Sequence, residues 1–288
     1  MKMKPRCVPC LLNRVIFEME LVGASSKRQE EIIKKCADIL IKNYTSEKSS
    51  AQIATIVHKT AYNMLGNDDP YRELKEKSNK VAKNILPKAE QYVERSTDRL
   101  EGAVMCSIIG NSIDFGIAGS ISSPDKLEKE FDSEMERGLQ HNDLEKMKKY
   151  LKGDVLYFTD NCGEIVFDRL VCRELKKYGV HLTLVVKGAP VLTDATYEDA
   201  ISLNFSDVVD EIVTTEKFAV GIDFDRISEK LKNKIRNASL IICKGMANYE
   251  AFSETRYKPI VYFLKVKCKS IAEDMEMPLG ANVVKLYE

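Results

Sequence analysis

The chain has 288 residues, of which 44% are hydrophobic and 31% charged, a balance that fits a globular protein with a sizeable core and excludes a disordered one. Lysine plus arginine equals aspartate plus glutamate at 44 each, so no global field directs it to nucleic acid or an anionic membrane, although a local basic pocket stays open. No apolar run approaches the roughly 18–20 residues that span a bilayer.

The N-terminal stretch MKMKPRCVPCLLNRVIF is basic like a signal peptide, but Asn13 and Arg14 interrupt its apolar part and no small-residue cleavage site follows. A cytoplasmic protein is expected, and the eight cysteines are expected as thiols or ligands rather than disulfides. Residues 1–148 read as a multihelical domain. A first helix carries Cys10, Leu11, Arg14, Val15, Phe17, Glu18 and Leu21; a second follows Ser25 and Ser26; a third, after Ser49 and Ser50, puts Ile53, Ile56, Val57, Ala61 and Leu65 on one face. A long polar helix is expected from about Tyr71 to Leu86, resuming after Pro87. Residues 102–120, GAVMCSIIGNSIDFGIAGS, read as a buried helix ending near Asn111, with Asp114 and the glycines around it in close contact with something.

Beyond the charged run EKMKKYLKGD the period changes, and residues 149–288 read as a second domain. Strands are expected at 154–159, 181–187, 208–213, 239–243 and 260–266, alternating with helices at 164–178, 196–204 and 225–236. That alternation implies βαβ units, a mostly parallel sheet and a three-layer α/β domain.

The stretch VLYFTDNCGEIVFDRL is where chemistry is expected. A buried strand runs into Thr159, Asp160, Asn161, Cys162, Gly163 and Glu164, and a helix follows, so Asp160 and Asn161 stand at the carboxyl rim where open α/β sheets hold ligands. The second strand runs into Lys187 and Gly188 and then Asp194; the fourth runs into Lys244 and Gly245 and then Asn248. On a shared rim, two carboxylates and an amide oxygen suit a divalent cation such as magnesium, manganese, cobalt or nickel, with the lysines holding a phosphate as point charges. Each turn taken alone is also a plain helix cap.

TDNCGE, with VVKG, LTDATYEDA and CKGMANYE after it in that order, resembles the metal-dependent damage-control phosphatases, the group containing the ARMT-like domain. The N-terminal CVPC and the GNSIDFG segment are similar to its archaeal and bacterial branch. The resemblance, running from Cys7 to about Lys285, implies a helical domain packed on a Rossmann-like α/β domain with one metal between them. It puts the metal on Asp160, Asn161 and Asp194, Lys244 and Asn248 near the substrate, and Asn111 and Asp114 in the pocket from the helical side. The activity it implies is hydrolysis of a small phosphorylated metabolite, a sugar phosphate or a damaged relative, by metal-activated water. Lys244 with Lys187 would neutralise the phosphate, and either Glu164 or Asp114 would orient or deprotonate the water. A covalent aspartyl-phosphate route is disfavoured, because the second position after Asp160 is Cys162.

Cys162, at a helix start, reads as a bystander rather than a nucleophile, since no histidine lies near it in sequence. Cys7 and Cys10 form half of a thiol metal site, with Cys268 as the candidate third partner in a structural role. His58, His141 and His181 share no spacing and read as structural or solvent-facing. Two other classes stay open: an S-adenosylmethionine-dependent carboxyl methyltransferase, against which no G-x-G-x-x-G turn follows any expected strand, and a non-catalytic regulator built on Cys7 and Cys10.

Overall fold

The computed structural model describes residues 1–45, 47–111 and 124–288. Asp114, for which a pocket role is expected, lies outside the described residues.

Residues 1–148 supply seven helices and one short strand among the described residues: α1 (Cys7–Leu21), α2 (Ser26–Asn43), α3 (Ser50–Leu65), α4 (Arg72–Arg95), α5 (Arg99–Gly110), α6 (Pro124–Arg137), β1 (His141–Asn142) and α7 (Leu144–Lys148). Helix α3 starts at a capping box, in which the Ser49 hydroxyl accepts from the Gln52 amide and the Gln52 side chain accepts from that of Ser49, and it stops at Gly66 in the left-handed region. The break expected at Pro87 does not occur. Helix α4 runs through it, because Ala82, Ile85, Ala89 and Val93 keep one continuous buried face that packs on α5 and on a later helix of the α/β part.

Residues 149–288 follow as β2 (Asp154–Phe158), α8 (Glu164–Lys176), β3 (His181–Val186), α9 (Tyr197–Ser202), β4 (Glu211–Thr214), α10 (Glu229–Asn237), β5 (Leu240–Lys244), α11 (Gly245–Phe252), β6 (Ile260–Lys265), α12 (Lys269–Met275) and β7 (Asn282–Tyr287). The seven strands form one sheet in the order β1-β7-β6-β5-β2-β3-β4. Strands β6, β5, β2, β3 and β4 are mutually parallel, while β7 runs antiparallel to β6 and pairs in parallel with β1. The expected βαβ frame is therefore present, and β1 and β7 extend it beyond the five strands expected. Helix α11 (Gly245–Phe252) is a further element beyond the expected helices.

Side chains alternate across the sheet, as a pleat requires. Val155 and Tyr157 join a core shared with α4, α5 and α8, while Leu156 and Phe158 join a second core under α10, α11 and α12. That makes three layers. Strand β2 is central, and the chain leaves it for β3 on one side and later returns to its other side as β5. The loops above β2 and β5 thus diverge and open a crevice at the carboxyl rim. Among the described residues no helix is long and apolar enough to cross a membrane.

Candidate active site

The turn after β2 is held from two directions. Gly163 adopts φ +84°, where a side chain would be strained and would press on Ser78 of α4, and its amide donates to Asn79 Oδ1 at 2.6 Å. The loop after β3 returns to the same turn. Cys162 N donates to Thr193 O and Ala195 N to Asp160 O, both at 2.8 Å, and Thr193 Oγ1 donates to Asn161 Oδ1 at 2.5 Å. Asn161 and Asp194 pair as an isolated antiparallel bridge. Leu192, next in this loop, has φ +49° and gives its amide to the Tyr62 hydroxyl of α3 at 3.0 Å.

These contacts bring Asp160, Asn161 and Asp194 to the wall of one cavity of about 280 Å³, together with Asn111 at the end of α5. Asn111 Nδ2 donates to Asp160 Oδ2 at 2.8 Å and also to Glu164. Its Oδ1 has no hydrogen-bond partner among the described residues, although the residue is wholly buried. Gly245, with φ +72°, opens α11 against Asp160, and a Cβ there would sit 1.8 Å from Asp160 Oδ2.

Lys187, Lys244, Glu164 and Asn248 stand one step behind this wall. Lys244 Nζ is 2.5 Å from Glu164 Oε1 and 3.2 Å from Asp168 Oδ1, with all three side chains sealed from solvent. Lys187 is also buried; its ammonium is 3.3 Å from Asp194 Oδ2 and donates to the carbonyls of Ala219 and Gly221. Asn248 donates to the carbonyls of Thr159 and Lys244, at 2.9 and 2.8 Å, and so ties the end of β5 to the turn after β2. Cys7, Cys10 and Cys268 line the same cavity as the carboxylates. Cys268 Sγ accepts from Ile271 N at 3.5 Å as the cap of α12, and Cys7 Sγ lies 3.5 Å from Ser270 Oγ.

Burial pushes the Asp160 carboxyl well above the usual carboxylate range, and the neighbouring charges of Glu164 and Asp194 push it the same way. Burial works against the charge on Lys244, but Asp168 and Glu164 outweigh it and raise its pKa. Burial also raises the Cys162 thiol well above its ordinary value, which removes the reactive-thiolate reading and leaves it a packed bystander.

The donor chemistry fits a divalent cation. A buried carboxylate pressed by two others is relieved by positive charge, the amide oxygen of Asn111 is left over beside it, and Gly245 keeps the space above Asp160 open. Among the described residues no three His, Cys, Asp or Glu side chains converge as a metal set, so the Asn161 amide is needed as a third donor. That amide donates to Asp160 Oδ2 at 2.7 Å and accepts from Thr193 at 2.5 Å.

The cavity also receives His58 from α3, Arg14 from α1 and Lys267 from the loop after β6. None was singled out for the site from the sequence, because no local motif marks them. His58 had been read as structural or solvent-facing; its place on the buried face of α3 was the available signal.

A three-layer α/β protein whose rim turns bring two carboxylates and a carboxamide to one wall, faced by a second carboxamide from the end of α5, is the class the fold and the site define. The chain belongs to the family of the damage-control phosphatase ARMT1-like domain, whose profile matches residues 3–283. A relative from Archaeoglobus fulgidus named damage-control phosphatase is 39% identical over 100% of both chains. Another of that name, from Pyrococcus horikoshii, is 29% identical over 98% of this chain and 97% of its own. A crystal structure of a DUF89 family protein from Pyrococcus horikoshii superposes with a TM-score of 0.89 at 28% identity, covering 100% of both chains.

Proposed function

We propose that the protein is a cytoplasmic, metal-dependent phosphatase that hydrolyses small phosphorylated metabolites such as sugar phosphates or their damaged relatives. The observation that carries this reading is the single cavity wall formed by Asp160, Asn161 and Asp194 in a chain whose relatives are named damage-control phosphatase. In this reading residues 149–288 hold the metal and residues 1–148 form a helical domain that contributes the facing wall.

Asp160, Asn161 and Asp194 would hold manganese, nickel, cobalt or magnesium. Such an ion supplies Lewis-acid polarisation of a phosphoryl oxygen and of the attacking water. The chain's own part is positioning and charge. Asn111 fixes the Asp160 carboxylate through Nδ2, and its amide oxygen is left without a hydrogen-bond partner among the described residues. Lys187 lies against Asp194, and Lys244 against Glu164 and Asp168, so the two lysines offset the negative charge gathered at the site. Arg14 and Lys267 also line the cavity and add positive charge that suits a phosphate. Glu164, bonded to Asn111 and close to the Asn161 amide, orients the groups that face the water.

The test is phosphate release from an aryl phosphate and a panel of sugar phosphates by metal-stripped protein, resupplied in turn with each of the four ions. Metal-dependent release that disappears in Asp160→Ala supports the reading. Release by the stripped protein, or an unimpaired variant, overturns it.

A further inference from the structure

Helices α1 and α3 meet in an apolar seam that includes Val15, Met19, Val57 and Ala61, and inside it lies one ionisable pair. Glu18 Oε1 is 2.7 Å from His58 Nδ1, with the two side chains 0% and 1% exposed. The contact is close but not aligned as a hydrogen bond, and neither Glu18 oxygen has a hydrogen-bond partner among the described residues. A carboxylate buried this way costs several kcal/mol to desolvate, and an apolar pair of equal size would join the helices more favourably. Stability therefore does not explain the pair. Its position does, because His58 lines the cavity that also holds Asp160, Asn161 and Asp194. With Nδ1 turned to Glu18, Nε2 is the ring nitrogen left for the cavity.

We propose that His58 is the general acid that protonates the leaving group and that Glu18 is its positioning residue, an inference that rests on the phosphatase reading above. Hydrolysis of a phosphate monoester breaks the bond between phosphorus and the ester oxygen, and the electron pair leaves with that oxygen. An alkoxide is a poor leaving group unless a proton reaches it. Water attacks phosphorus, the Nε2 proton passes to the departing oxygen to give the alcohol, the proton lost by water goes to solvent, and His58 regains one from solvent. The sum is ester plus water giving alcohol plus inorganic phosphate. A carboxylate beside Nδ1 fixes the ring on that side and leaves Nε2 for the cavity. Among the other side chains on this wall, arginine and lysine hold their protons too firmly for this exchange. Among the described residues, Glu250 is the carboxyl outside the ligand set that also lines the cavity, and it is the rival to His58.

The experiment compares kcat/KM for a simple alkyl phosphate and for 4-nitrophenyl phosphate, whose leaving group needs no proton. Wild type, His58→Gln, Glu18→Gln and Glu250→Gln are measured as full-length, metal-loaded proteins with matched melting curves. For His58→Gln we expect a loss of about 10²–10³-fold with the alkyl ester and only a few-fold with the nitrophenyl ester, and Glu18→Gln shows the same skew, smaller. Should His58→Gln fail to fold, the isosteric Glu18→Gln carries the test alone. Equal losses on both esters, no loss, or the skew appearing in Glu250→Gln instead would overturn the assignment. Independently of turnover, inorganic phosphate should shift the ring resonances of His58 but not those of His141 or His181, the only other histidines; an unmoved His58 would count against it. Wild-type inactivity on both esters with every metal sinks the phosphatase reading as well, whereas an active wild type with an unskewed variant sinks this inference alone.

Discussion

Lys244 Nζ lies 2.5 Å from Glu164 Oε1 in a contact from which solvent is fully excluded. Asp168, 3.2 Å away on the next turn of α8, makes this a buried cation shared by two carboxylates, and Ser107 and Tyr157 donate to Asp168 at 2.6 and 2.8 Å. Removing the cation leaves two buried negative charges facing each other. Lys244→Met is expected to lose about 3–5 kcal/mol of stability, read as a lower urea midpoint, and adding Glu164→Gln should restore part of it. A Lys244→Met protein as stable as wild type would show that the cluster is not buried as described.

Gly245 is the second pressure point. Alanine at φ +72° costs about 1–2 kcal/mol in backbone conformation, and its methyl overlaps Asp160 Oδ2. Gly245→Ala should therefore shift the Asp160 carboxylate and weaken manganese binding by about 10–100-fold, measured by calorimetric titration. Unchanged affinity in a folded variant would separate Asp160 from the metal.

Tyr62 supports the Asp194 loop from below by accepting the amide of Leu192, a residue held at φ +49°. Tyr62→Phe leaves that buried amide without an acceptor, at a cost of about 1–3 kcal/mol. Because Thr193 and Asp194 follow directly, activity should fall more than the stability loss alone explains. The paired readouts are denaturant unfolding and turnover at a temperature where both proteins are folded.

The acid limb of stability should carry the mark of Asp143. Burial would raise this carboxyl, but hydrogen bonds from Lys146 and His141 and from the Leu286 amide outweigh it and hold it at about 2, below its ordinary 3.8. A depressed folded value means that the stabilisation is fully present above the unfolded value and is lost as pH falls through the folded one. Stability should therefore drop by about 2 kcal/mol from this group between roughly pH 5 and pH 2. Asp143→Asn should lack this part of the acid limb in urea titrations, and an unaltered pH dependence would contradict the assignment.

The parallel core was legible because its strands are buried on both faces and read as short apolar runs: β2, β3, β5 and β6 all fall within a residue or two of the expected bounds. Asp160 and Asp194 were legible for a related reason, since each follows such a strand. Strand β7 was not, because NVVKLY runs antiparallel to β6, outside the repeating parallel pattern of the core strands. Helix α11 begins with a left-handed glycine, which locally resembles a turn. Pro87 misled because α4's continuous buried face outweighs its local preference. The burial of Lys244 and the pairing of Glu18 with His58 depend on how separate elements pack, and no periodicity within one element reports that.

The cavity wall includes both Met3 and Ser270. The stretch from Met3 to Ser270 must all have left the ribosome before this enclosure can exist. Contacts of such long sequence separation form late, because the loop entropy they close is recovered only at the end. Chains cut short before Ser270 should therefore be catalytically silent, so a working site reports that its most distant segments have been made and have met.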